Sequence, residues 1–140
     1  MKLTLTIVAS SILLLSGCNP VKSTATAEAE AAKFHTFYDA GEFGDIYDSS
    51  GKEFKASGTK EKVVKFMKSV SDKLGKTKSS VKAGWRANSF NLKTTVVLTY
   101  STTYERGAGT ETFTYRVENG KASLIGWYIN SDDLVIEDVK

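Results

Sequence analysis

Apolar positions along the chain repeat in two periods, and the period changes near Gly75. Before it, Ala27, Ala31, Phe34 and Tyr38 stand at offsets zero, four, seven and eleven, the spacing of one helical face. Phe37 lies at the edge of that face, and Gly41 supplies a stop. Phe43, Ile46 and Tyr47 repeat the three-and-four spacing and predict a short second turn, broken by Ser49, Ser50 and Gly51. The strongest helical pattern starts after Thr59, an N-cap residue. It places Val63, Phe66, Met67, Val70 and Leu74 on one stripe and ends at Gly75. Lys60, Lys62, Lys65, Lys68 and Lys73 fill the opposite face, which reads as a solvated surface.

After Gly75 the period becomes two. Val81, Ala83, Trp85 and Ala87 alternate in a first strand, followed by a turn over Asn88 to Asn91. Thr94, Val96, Leu98, Tyr100, Thr102 and Tyr104 alternate in a second strand. A loop from Glu105 to Gly109 leads to a third strand marked by Phe113, Tyr115 and Val117. Asn119–Gly120 is the pair a two-residue type I′ hairpin demands, because both central residues need positive φ, and it sets a fourth strand from Lys121 to Ile129.

An amphipathic helix cannot bury its stripe alone, and an alternating meander has one apolar face to cover. The pattern therefore predicts an α+β fold, with N-terminal helices packed on one face of a four-stranded antiparallel meander sheet. The other face, rich in threonine, is left for water or a partner.

The extreme N-terminus follows different rules. Lys2 precedes an apolar run from Leu3 to Leu15 that is shorter than the ~20 residues a spanning helix needs, and Leu15, Ser16, Gly17 and Cys18 form a lipobox. This predicts a signal peptide over 1–17, a lipidated Cys18 followed by a tether to residue 32, and a single domain over 33–140. Cys18 is the sole cysteine, so no internal disulfide competes for its sulfur. In the lipoproteins this leader resembles, the residue after the cysteine governs sorting. Asn19 at that place implies a lipid-anchored protein of the bacterial outer membrane, facing the periplasm.

Composition narrows the classes. The chain has 140 residues, 41% of them hydrophobic and 11% aromatic, with a net charge of +3. That is a globular composition of nearly balanced charge, and it argues against a nucleic-acid partner. His35 is the only histidine. It sits beside the first apolar stripe as a boundary residue, without marked partners for a triad or a zinc site. Asp45, Asp48 and Glu53 lack the ligand order of a calcium loop. Gly107 and Gly109 precede no helix and cradle no phosphate. Asp132 and Asp133 are adjacent and read as solvated. No cofactor or metal site is predicted. The aromatic residues of the strands are the remaining candidates: Trp85, Tyr100, Tyr115 and Trp127, joined by Tyr104 and Tyr128, either pack as ordinary core and cross-strand pairs, which the pattern favours, or line a small apolar pocket.

The segment from Phe34 to Ser131 resembles a group of small bacterial envelope proteins carrying a domain of unknown function. That group is related to the cystatin-like and nuclear-transport-factor-like α+β superfamily. Phe34, His35, Tyr38, Gly41, Phe43, Ile46 and Tyr47 carry the resemblance in the first helices, and Phe66, Val70, Leu74 and Gly75 in the long one. Gly84, Trp85, Leu98, Tyr100, Gly120, Gly126, Ile129, Asn130 and Ser131 carry it in the strands. These are packing and turn residues, so the resemblance implies an architecture and no activity. The expectation is a membrane-anchored, non-catalytic binding or accessory module for an envelope protein, a peptide or a small apolar ligand. The alternative is a cavity enzyme pairing Asp45 or Asp48 with Tyr38 or Tyr47. A hollow between helices and sheet would favour the enzyme, and a filled core would remove it.

Overall fold

The computed structural model describes residues 19–135, so the signal peptide and Cys18 lie outside the described residues. The order is α1 (Pro20–Ala40), α2 (Phe43–Ser49), α3 (Lys52–Ala56), α4 (Lys60–Leu74), β1 (Thr77–Phe90), β2 (Lys93–Tyr104), β3 (Gly107–Glu118), β4 (Lys121–Asn130) and α5 (Asp132–Val135). The strands form one antiparallel sheet in the order β1-β2-β3-β4. This is the α+β meander the two periods predict.

Helix α1 crosses all four strands. The Asn19 side chain caps it by accepting from the Val21 and Lys22 amides, Pro20 opens the first turn, and Gly41 closes it at φ 76°. The stretch predicted to be a tether is therefore the first three turns of this helix. Ser23, Thr24, Ala27 and Ala31 are buried there, because small side chains let the helix backbone sit close on the sheet. Among the described residues, the packed body therefore includes α1 from its Asn19 cap, ahead of residue 33.

Helix α4 packs against α2 and α5 and buries Met67, Val70 and Leu74. Phe66, on the same predicted stripe, is instead 53% exposed. The helix-facing side of the sheet buries Val96, Leu98, Tyr104, Phe113, Tyr115, Val117, Leu124 and Ile129.

Two irregularities set which residues face inward. Between Lys82 and Gly84 the β1–β2 register shifts, so Ala83 is an extra residue that flips the alternation. Trp85 and Ala87 share the helix-facing side, whereas Val81, predicted to join them, is 66% exposed. A second shift after Thr114 leaves Ile125 unpaired and brings Trp127 opposite Phe113. The β1–β2 turn is Asn91–Leu92, three residues later than the predicted start. The β2–β3 connection is a two-residue turn, Glu105–Arg106, rather than a long loop. Arg106 fixes that turn by donating to the carbonyls of Ser71, Asp72 and Lys73 at the end of α4.

Candidate functional site

Strand β3 presents Glu111, Phe113, Tyr115 and Val117 to the helices. Glu111 is the exception in this apolar row and is 1% exposed. Its neighbours in register are Tyr100 on β2 and Ile129 on β4. The carboxylate is engaged from three elements at once. Its Oε2 accepts from His35 Nε2 on α1 at 2.7 Å and from Thr102 Oγ1 on β2 at 2.6 Å. Its Oε1 accepts from the Trp127 indole on β4 at 3.0 Å. Burial alone pushes the Glu111 carboxyl up. The His35 hydrogen bond and charge, with the donors of Thr102 and Trp127, outweigh it and leave the group below its ordinary value. An ionised carboxylate only accepts, so His35 Nε2 carries the shared proton.

Aromatic rings wall this network. His35 meets the edge of Phe113 at 5.6 Å and of Tyr100 at 6.4 Å. Phe34 packs on Phe113 at 5.0 Å and on Trp127 at 5.1 Å. Tyr38 and Tyr104 lie 6.1 Å apart beside the same carboxylate. Burial, with the charge of Glu111 added to it, pushes both phenols well up, so they stay protonated.

The space between helices and sheet is occupied by Tyr38, Tyr115, Phe113, Met67 and Leu98. A crevice beside it, lined by Phe34, Phe37, Ile46, Tyr115 and Leu124, holds about 30 Å³, room for little more than a water molecule. The predicted carboxylate–tyrosine pairs are not assembled. Asp48 is exposed and pairs with Lys60, Asp45 is exposed, and Tyr47 donates to the carbonyls of Lys55 and Gly58. Tyr38 is buried against Phe43 and Trp127.

The four aromatic candidates all face the helices, but they do not line one pocket. Tyr115 is core, 2% exposed and stacked on Phe113 at 6.2 Å. Tyr100 is half-buried beside His35. Trp85 stands apart on the edge strand, 51% exposed. Trp127 alone reaches an opening: its ring lies 6.0 Å from Phe66 on the wall of a groove of about 290 Å³. Phe54, Ser57, Gly58, Lys62, Val63, Phe66 and Met67 supply the rest of that groove. Its size is at the lower end for a small-ligand site.

Glu111 is the residue that pattern reading passed over. The signal is its parity with Phe113, Tyr115 and Val117, which places a charge on the buried row, and the single histidine is its partner. Comparisons with protein-family models, curated proteins and solved structures return no match.

Proposed function

We propose that this protein is an acyl-anchored lipoprotein of the bacterial outer membrane, facing the periplasm. Its folded body is then a non-catalytic binding module akin to the small envelope proteins it resembles. The lipobox at Leu15–Cys18 supports the anchor. The observation that carries the binding reading is the contrast around Trp127. Its indole N–H helps to saturate a sealed carboxylate, while its ring forms part of an open apolar groove with Phe66. A general acid or base needs a reachable oxygen and a substrate beside it. Every oxygen of Glu111 is occupied from within, so its chemistry is spent on holding α1, β2 and β4 together. The groove offers rings, aliphatic surface, the Ser57 hydroxyl and the Lys62 side chain, a mainly apolar lining with two polar groups that suits an apolar side chain of a peptide or a small apolar ligand.

A photo-reactive side chain tests this in whole envelopes. With Phe66→p-benzoylphenylalanine, irradiation should give a discrete adduct, and the same change at Tyr128, on the open sheet face, should not. An adduct only from Tyr128 would move binding to the other face. No adduct from either, together with no ligand in native mass spectra, would remove the binding reading. Labelled palmitate should be incorporated by the natural chain and not by a Cys18→Ser variant, which should also leave the membrane fraction.

A further inference from the structure

One end of the molecule exposes large apolar side chains that the fold does not use. Leu92 is 84% exposed and Phe90 76% at the β1–β2 turn, and Val21 is 70% exposed in the first turn of α1. Two anchors bring these positions to the same end. Asp39 accepts from the Thr77 amide at 2.8 Å, and Glu28 pairs with Lys82. From Asp39 back to Glu28 the helix rises about 16 Å at ~1.5 Å per residue. From Thr77 to Lys82 the strand advances about 16 Å at ~3.3 Å per residue. Helix and strand therefore run alongside each other in opposite directions, and α1 begins toward the hairpin tip.

The tip is also conformationally costly. Asn91 and Leu92 have φ of 47° and 60°, the left-handed backbone of a two-residue hairpin. A branched side chain is disfavoured there, and an exposed one gains nothing from packing. The adjacent tip, Asn119–Gly120, meets the same demand with glycine at φ 73°. The charges beside both tips, Lys93 and Lys121 against Glu118, with Lys22 in the first turn of α1, leave this end positive.

We propose that this end of the body lies against an anionic phospholipid surface, with Leu92 and Phe90 entering the boundary between headgroups and acyl chains. This rests on the acyl-anchor reading of Cys18. The chain outside the structure reaches Cys18 one residue before the Asn19 cap, and one residue spans about 4 Å. An acyl group there holds the start of α1 at the bilayer with no slack. The apolar tip and the surplus lysines are the chemistry of an interfacial contact. A lipid surface offsets the exposure of Leu92 without demanding a shaped partner.

The test uses the full lipidated protein bound to vesicles of phosphatidylethanolamine and phosphatidylglycerol. The natural cysteine is blocked by acylation, so Leu92→Cys or Lys78→Cys, the latter at the opposite end of β1, takes an environment-sensitive fluorophore at one site. Flotation with the vesicles reports the anchor. Quenching by lipids spin-labelled near the headgroup reports depth. It should be about threefold stronger at position 92 than at 78, as for a group lying roughly 5–10 Å inside the interface. Protein that floats with equal, water-like signals at both positions overturns the orientation alone. Protein that does not float overturns the anchor and the orientation with it. A signal at position 92 that rises with protein concentration without vesicles assigns the tip to a second copy and overturns the lipid contact. The same comparison with a label at Phe90→Cys keeps the result independent of any effect of losing Leu92.

Discussion

Two regions break the rule that puts apolar groups inside and charges outside, and they break it in opposite directions. At the middle of the sheet a carboxylate, Glu111, is buried among aromatic rings. At the end of the sheet a leucine, Leu92, stands in water on a left-handed backbone. The first departure is compensated entirely within the chain, by donors from His35, Thr102 and Trp127. The second has no compensation among the described residues. A buried charge with both oxygens engaged is a structural device. An uncompensated apolar tip beside an expected acyl anchor is the surface that the proposed lipid contact would cover.

The largest effect comes from removing that internal compensation. His35→Ala leaves the buried Glu111 carboxylate without its His35 partner and should destabilise the fold by about 3–5 kcal/mol in denaturant titrations. The double variant His35→Leu with Glu111→Leu removes both partners but leaves the Trp127 indole and the Thr102 hydroxyl without this acceptor, so it should recover part of that loss. If the double variant is as unstable as the two single changes combined, the pair is not the unit described here.

Trp127→Phe keeps a ring beside Phe66 but removes one donor to the carboxylate, a loss of about 1.5–3 kcal/mol for a hydrogen bond to a charged group. The pH dependence follows from the same contacts. The folded Glu111 carboxyl lies below its ordinary value, so its contribution is complete above the unfolded value and is lost as pH falls through the lower, folded one. Glu111→Gln should therefore flatten the acid limb of the stability curve measured by denaturant titration at stepped pH.

The smallest effect has the opposite sign. Leu92→Gly relieves the left-handed turn at some cost in chain entropy and should raise stability by about 0.5–1 kcal/mol. A loss of stability on this change would mean that Leu92 serves the fold, and the contrast between the two regions would disappear.

Much of the architecture is legible in the sequence because it depends on period. The 3.6-residue repeat of Val63, Met67, Val70 and Leu74, the stop at Gly75, the alternation along β2 and β3, and the Asn119–Gly120 turn each dictate a local structure that survives in the fold. What is hidden depends on a single residue out of register. Val81, Ala83, Trp85 and Ala87 alternate without a flaw, yet the bulge at Ala83 puts Val81 on the far face, and no side-chain pattern announces it. Phe66 lies on an apolar stripe, but α4 packs chiefly on α2 and α5, so one edge of that stripe stays open as a groove wall. The stretch from Asn19 to Ala32 is small and polar enough to suggest a tether, whereas its alanines are what allow α1 to sit close on the sheet. The site was legible only by halves. His35 is conspicuous as the single histidine, but Glu111, between Thr110 and Thr112, reads as one more polar strand residue until the parity of Phe113 and Tyr115 is applied to it.

Amide hydrogen exchange on the lipidated protein bound to vesicles, set against the Cys18→Ser protein in solution, tests the contrast between the two regions most directly. The account predicts slower exchange confined to the stretch from Ser89 to Thr94 at the hairpin tip, with the stretch from Gly109 to Tyr115 around Glu111 unchanged. Protection gained around Glu111, with the tip exchanging as it does in solution, would contradict it.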